Sequence, residues 1–501
     1  MKRLVSLIFT ISFFLIISCT SVIDDKSTEE HGYSTPEAEG ISSNAILKFV
    51  EALEKEQPDA IHSIMLRRHG KIVAQGWWEP FNPDSPHMLY SLSKSFTSTA
   101  IWIAQDEGLV SINDQVISFF PNKIPEDPGD NLKAMRIRDL LKMNSGHQWG
   151  ISGGMIADKS WVEGFLGQEV QHKPGTHFVY SSGATYMLSA IIQKVTGITL
   201  LEYLKTRLFE PLGIENPTWE SDPDGINKGG TGLSVTTEDI SKLGQLYLQK
   251  GMWNGERLIS EDWVDEATSL QTSNGSNPES DWEQGYGYQF WRCRHNLYRG
   301  DGAFGQFCIV MPEYNAVLVI TSGSNDMQGI MNIAWRHILP AMKDDPLPTN
   351  EEALNLLNEK LSSLKINTVK GNENSQLGAE ISGKTFEMEP NEMDIMSVTF
   401  DFDISPNIIT IVTSEGEKTF KAGNGSMETG ELKNPQLISR KIAASGAWEE
   451  VDKYIVNLIY FETPHAIKFT YQFKDEELLW NTDLNVSFGQ TEFPQLKGNL
   501  K

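Results

Sequence analysis

Two Ser-x-x-Lys spacings stand in the chain, Ser91-Leu-Ser-Lys94 and Ser362-Ser-Leu-Lys365. On a helix, residues i and i+3 lie one above the other on adjacent turns, so a lysine amine can reach a serine hydroxyl and draw its proton. That is the minimum for a nucleophilic serine. At typical usages of about 7% Ser and 6% Lys, a chain this long holds on the order of two such spacings by chance. Context separates them. Ser91 follows strand and loop and opens an apolar helix whose Phe96, Ala100 and Ile103 share one face, whereas Ser362 sits mid-helix in a polar connector and reads as a surface residue. A free lysine titrates near 10.4, and bringing it to about 7 takes roughly 4.6 kcal/mol. The positive end of a helix supplies only about 0.3 to 1, at most about 2. Burial, a second cation, or another proton carrier must do the rest. The candidate carrier is Tyr180, in Phe178-Val-Tyr-Ser-Ser182, a turn before a helix expected from Thr185. A phenol beside an ammonium is expected to ionise well below its usual value of about 10.

Two glycine-rich patterns compete with this reading. Gly150-Ile-Ser-Gly-Gly154 fits the GxSxG elbow, which needs a strand before the serine and a helix after it, but it follows the turn-rich Asn144 to Trp149. Gly300-Asp-Gly-Ala-Phe-Gly305 fits the GxGxxG dinucleotide fingerprint, yet Phe307 to Val310 reads as a strand, so no helix N-terminus would meet a pyrophosphate. A nicotinamide oxidoreductase is therefore the weakest reading. The ten histidines form no HExxH pair, and three cysteines are too few for a disulfide scaffold or a structural zinc site. Neither metal nor cofactor is expected. With 42 Lys plus Arg against 67 Asp plus Glu the net charge is −25, which repels phosphate backbones and excludes nucleic acid as a partner.

Leu89-Tyr-Ser-Leu-Ser-Lys-Ser-Phe-Thr-Ser98, Ile137-Arg-Asp-Leu-Leu-Lys-Met-Asn-Ser-Gly146, Tyr180-Ser-Ser-Gly183 and Gly302-Ala-Phe-Gly-Gln306 occur in that order. Together they resemble the serine β-lactamase-like family, which includes class C β-lactamases, D-amino-acid carboxypeptidases, esterases and 6-aminohexanoate-oligomer hydrolases. The resemblance spans about residues 35 to 345. It implies that Ser91 is the acylated nucleophile, that Lys94 takes or shares its proton, and that Tyr180 relays it to the leaving group and later to water. It also implies an oxyanion hole from the backbone N–H groups of Ser91 and Ala303, the latter on the edge of a strand beginning near Gly302. Each such donor is worth about 3 to 4 kcal/mol of barrier.

Two departures bear on the substrate. Ser182 stands where the family's second motif usually has Asn, and Gly300, followed by Asp301, stands where the third motif opens with Lys or His. Without that cation a substrate carboxylate loses a charge-assisted contact of about 1.5 to 3 kcal/mol. The resemblance thus points to an esterase or amidase acting on a small molecule through an acyl-enzyme, ahead of a β-lactamase or D-amino-acid peptidase. A sensor that is acylated without turnover is the rival from another class. His147 and Trp149 either line the cleft or pack, and Tyr288 and Trp291 read as core.

The elements that must position these residues suggest an α+β fold. Helix 42–56 and a hairpin of Ile61 to Arg67 and Lys71 to Trp78 come first, then a helix-rich middle, then strands Tyr286 to Trp291, Gly305 to Met311 and Ala316 to Thr321. Strands, helices, then strands again predict an antiparallel sheet with a helical insertion over 35–345. A leucine-bearing helix (Leu354, Leu357, Leu361, Leu364) and linker follow over 346–378, and alternation such as Ile467, Phe469, Tyr471 and Phe473 marks 379–501 as a small β-sandwich or barrel. At the other end, Met1-Lys2-Arg3 and the 14-residue run Leu4 to Ile17 read as an export signal over 1–18, too short to span a bilayer. Ser18-Cys19 resembles a lipobox, which implies a lipidated Cys19, a polar tether over 19–34, and an exported protein anchored to a bacterial membrane. Cys293 and Cys308 are either a disulfide or two buried thiols.

Overall fold

The computed structural model describes residues 32–153, 160–432 and 441–501. The signal segment and Cys19 lie outside these residues. Six strands form an antiparallel sheet: β1 (Ile61–Arg68), β2 (Lys71–Trp77), β3 (Trp291–Arg292), β4 (Tyr298–Gly302), β5 (Gln306–Met311) and β6 (Ala316–Ser322), in the order β2-β1-β6-β5-β4-β3. The inner strands β1, β6, β5 and β4 are buried along their whole length because both faces are covered. Ile64, Leu66, Ile309, Leu318 and Ile320 face one core with Phe49 and Leu53 of α1 (Ser43–Glu56), whereas Met65, Cys308, Val310, Val317 and Val319 face the other. The chain between β2 and β3 folds mostly as helices over that second face. Among them are α2 (Ser93–Asp106), α3 (Ser182–Thr196) and α4 (Thr237–Leu248). Gly244 lets α4 approach the sheet: a Cβ there would lie 2.6 Å from Val317 Cγ1 and 2.7 Å from Cys308 Sγ.

The α+β architecture expected from the order of elements is the one observed. Local differences have backbone causes. Tyr286 to Phe290 is bent rather than extended, because Gln289 is left-handed (φ 66°) and its amide is drawn to the Leu140 and Leu141 carbonyls. Helix α3 starts at Ser182, three residues before the expected Thr185, because the Ser181 hydroxyl caps it by accepting from Ala184 N. Cys293 and Cys308 are free buried thiols.

After helix α5 (Met327–His337) and helix α6 (Glu351–Ser362), the chain enters a second sheet. Its ten strands run from Thr385 to Leu500 and are all paired antiparallel. The sheet curls until Gly423, just past the edge strand Gly416–Ala422, bridges Ser445 on the strand Lys441–Glu450 near the other edge. This nearly closed barrel is filled by side chains, among them Phe400, Trp448, Tyr471 and Trp480, so it is a packed body and not a channel. It shares an apolar cluster with the first sheet through Ala443, Ile459 and Phe461. The Met88 N–H also donates to the Glu462 carbonyl at 2.8 Å.

Candidate active site

Short strand His87–Met88 pairs with Leu233–Val235, and the chain then turns through Leu89 and the left-handed Tyr90 (φ 48°) into α2. Ser91 sits in this turn and Lys94 on the first turn of α2. Strand β4 lies directly against them. A Cβ on Gly302 would come 1.9 Å from the Leu89 carbonyl oxygen, and one on Gly300 would come 2.4 Å from Leu92 Cδ1 and 2.6 Å from Ser95 Oγ. Only glycine permits that approach. Gly300 faces helix α2, so a cation at that position would first have to displace the Leu92 and Ser95 side chains.

Lys94 is 1% exposed. Its Nζ lies 2.9 Å from Ser91 Oγ, 3.1 Å from Ser182 Oγ and 2.6 Å from the Gly230 carbonyl oxygen. Burial brings the amine down to about 7, while the Asp301 carboxylate works against that fall. Near neutral pH the two protonation states are then comparably populated. A neutral amine can donate to Gly230 and Ser182 and still offer a lone pair to the Ser91 hydroxyl.

Tyr180 lies beneath the same amine, its ring centroid 4.9 Å from Lys94 Nζ. Burial and the Asp301 carboxylate push its phenol above the usual value, with Ser91 and Trp291 acting the other way. This corrects the expectation of an easily ionised tyrosine: burial disfavours the phenolate more than any neighbour favours it, so Tyr180 keeps its proton. The lysine is the group brought near neutrality.

Ser182, first residue of α3, touches Lys94, so the shorter side chain still reaches the centre. Ala303 is placed differently from the expectation. Strand β4 ends at Gly302, and Ala303 lies in the tight turn to β5, not on a strand edge. Gln306 fixes the turn by donating to the carbonyls of Ala303 (3.0 Å) and Ser322 (2.7 Å). Phe304, next in the turn, is left-handed (φ 66°).

Ser91, Tyr180, Ser182, Asp301 and Ala303 line one cleft of about 940 Å³, together with Trp161, Trp282 and Trp291. Trp291 is buried in the core as expected (8% exposed) and also forms part of the cleft wall. Its charged side chains are paired: Glu220 with Lys228 at 2.8 Å, and Asp301 with the fully buried Arg299 at 2.7 Å. Burial pushes the Asp301 carboxyl up, opposed by Arg299 and Lys94.

The remaining sequence candidates fall elsewhere. His147 is buried against Phe165 and bonded to Ser145, and Trp149 is exposed; neither lines the cleft. Tyr288 is core, its hydroxyl donating to Glu266. Ser362 ends its helix and is exposed. Ser152 of the Gly150 pattern reaches the cleft lining, and Gly154 lies outside the described residues. Gly300 to Gly305 is strand and turn, leading into β5. Among the described residues, no group of three or more His, Cys, Asp or Glu is placed to hold a metal ion. The sequence reading missed the Gly230 carbonyl, which no side-chain pattern marks, and Tyr90, His465 and Phe488, the last two contributed by the barrel.

A serine, a lysine and a tyrosine gathered under an antiparallel sheet with a helical subdomain define an acylation-type site. The chain belongs to the beta-lactamase family, whose model matches residues 50–343. It is 25% identical over 303 residues to the 6-aminohexanoate-dimer hydrolase of Paenarthrobacter ureafaciens, covering 55% of this chain and 75% of that protein. It is 25% identical over 201 residues to the D-aminopeptidase of Brucella anthropi, covering 36% of each chain. Among solved structures, a Bacillus anthracis protein named after the 6-aminohexanoate-dimer hydrolase superposes with a TM-score of 0.50 at 18% identity, over 61% of this chain and 85% of its own, a likeness of fold.

Proposed function

We propose that the protein is a serine hydrolase that cleaves an ester or amide through an acyl-enzyme on Ser91. As Oγ attacks the substrate carbonyl, its proton passes to the neutral Lys94 amine, and the developing oxyanion is held by the N–H groups of Ser91 and Ala303. Tyr180 gives its phenolic proton to the departing alcohol or amine and recovers one from the Lys94 ammonium, leaving acyl-Ser91 and a neutral amine. Water then attacks the acyl carbon, Lys94 takes its proton through Tyr180, and Ser91 leaves re-protonated as the acid departs. The observation that carries this reading is the 2.9 Å approach of a buried amine, tuned to about 7, to the Ser91 hydroxyl.

The cleft also bears on the substrate. Its tryptophans favour an apolar body, and its cationic side chains are already engaged, so we assign it an acyl group without a neighbouring carboxylate. The relatives are named a 6-aminohexanoate-dimer hydrolase and a D-aminopeptidase, so amides belong beside simple esters in a first screen. The test is labelling with a serine-reactive fluorophosphonate. An adduct on Ser91 that disappears in Ser91→Ala supports the reading, and labelling elsewhere or nowhere removes it. We further propose export and lipidation at Cys19, tested by incorporation of labelled fatty acid in the native chain and its loss in Cys19→Ala.

A further inference from the structure

The proposed reacting groups all precede residue 345, yet the barrel reaches them. Tyr90 precedes Ser91 and Phe304 follows Ala303, so the two left-handed aromatic residues (φ 48° and 66°) are each adjacent to one proposed oxyanion donor. Bulky residues in that conformation are costly and persist only where their surroundings over-determine them. Here the two rings meet edge to face, with centroids 5.5 Å apart. Their backbones are held by the first domain, with Ser93 donating to the Tyr90 carbonyl and Ser322 to that of Phe304, and their rings meet two barrel loops.

The first loop, between the strands Lys453–Ile459 and Ala466–Lys474, carries His465. Its Nε2 lies 2.7 Å from the Tyr90 hydroxyl, and its ring lies 5.8 Å from that of Phe304. Burial lowers the ring's pKa and keeps it neutral, and the neutral tautomer with a bare Nε2 accepts the Tyr90 proton. The second loop, between Glu477–Leu484 and Leu496–Leu500, carries Phe488, whose ring centroid lies 5.6 Å from Tyr90 and 4.9 Å from Phe304. Both loops are tied to the first domain: Met88 N–H donates to the Glu462 carbonyl, and Asn485 Nδ2 donates to the carbonyls of Gly323 and Pro464. Phe488 nevertheless remains 77% exposed at the mouth of the cleft that it lines. One side of the ring packs on Tyr90 and Phe304, and the exposed remainder is free to meet a ligand's apolar surface.

We propose that the barrel supplies one wall of the active site: His465 is a positioning residue that holds the Ser91 turn through Tyr90, and Phe488 is a specificity residue that receives an apolar acyl or leaving group. This rests on the acyl-enzyme reading. Fluorophosphonate stoichiometry at Ser91 is therefore measured first in the wild-type full-length protein, and absence of an adduct there overturns that reading rather than this one. With labelling established, kcat and KM are measured on p-nitrophenyl acetate and p-nitrophenyl hexanoate, alongside the thermal midpoint of each variant.

Phe488→Ala is expected to lower the hexanoate-to-acetate ratio of kcat/KM by about tenfold without moving the midpoint, because the ring packs at the surface. His465→Ala is expected to lower kcat about tenfold on both esters while KM stays within about twofold. His465→Gln, whose amide oxygen can also accept from Tyr90, is expected to recover most of that loss. An unchanged selectivity ratio in Phe488→Ala overturns the substrate role of the barrel. A His465→Ala defect confined to KM, or one that Gln does not relieve at an equal thermal midpoint, overturns the positioning role.

Discussion

The buried lysine makes a prediction that separates stability from activity. Moving Lys94 from 10.5 to about 7 by burial corresponds to about 5 kcal/mol of disfavour for the ammonium. Between pH 7 and 10.5 the unfolded chain holds a proton that the folded chain has released, so wild-type stability rises with pH by about 1.4 kcal/mol per unit. Below pH 7 both states hold the proton and the whole penalty remains. Lys94→Met keeps the length and buries no charge, but it leaves Ser91 Oγ, Ser182 Oγ and the Gly230 carbonyl without their shared donor, at about 1 kcal/mol each. The variant is thus expected to be more stable than wild type by about 2 kcal/mol at pH 6 and less stable by about 2 kcal/mol at pH 10, with the curves crossing between. Urea unfolding across this range measures the difference, and ester hydrolysis measures the loss of activity. In wild type, kcat/KM is expected to fall below pH 7 as the ammonium accumulates. A stability difference that is flat with pH, or a Lys94→Met enzyme that still turns over, would refute the reasoning.

Three further outcomes are expected. Asp301→Asn removes the carboxylate that opposes the fall of Lys94, so the acid limb of kcat/KM should move to lower pH, and the buried Arg299 left without its partner should cost about 3 to 5 kcal/mol in urea unfolding. Tyr180→Phe should depress kcat/KM, which reports acylation, about 10²- to 10⁴-fold on amides but far less on p-nitrophenyl esters, whose leaving group needs no proton; equal losses of kcat/KM on both would deny Tyr180 the acid role. Gly302→Ala sets a Cβ against the Leu89 carbonyl, which cannot yield as a flexible side chain would, so both thermal stability and Ser91 labelling should drop.

How far the sequence could be read depended on whether the signal was local. The spacing of Ser91 and Lys94 was legible because helical geometry fixes it, and β1, β2, β5 and β6 were legible because strands such as Ala316–Ser322 are largely apolar, whereas β4, Tyr-Arg-Gly-Asp-Gly, carries no such pattern and was not read. The Gly300 substitution was visible, but its surroundings were not: the contacts with Leu92 and Ser95 exist only once β4 lies on α2. The sign of the Tyr180 shift was misread for a related reason. A neighbouring ammonium is suggested by sequence, whereas the desolvation that outweighs it depends on packing against Trp291 and Tyr286. Likewise His465 and Phe488 carry no motif, and only the docking of the barrel brings them beside Tyr90.

The charge pattern of the cleft follows from the same packing. With glycine at 300, strand β4 has no cation to offer the substrate, and the guanidinium one residue earlier, Arg299, is held to Asp301 by its Nε (2.8 Å) and a second nitrogen (2.7 Å). Of this pair Asp301 is the member that lines the cleft. It sustains part of the Lys94 proton affinity that burial removes, keeping the amine near neutrality rather than far below it. A substrate carboxylate brought to this wall would meet Asp301 with no free cation to answer it, in a site where low dielectric strengthens the repulsion. On the proposed acyl-enzyme reading, one buried pair joins the tuning of the base to the charge of the cleft wall, so a change at Asp301 is expected to move both the acid limb of kcat/KM and the tolerance for an anionic substrate.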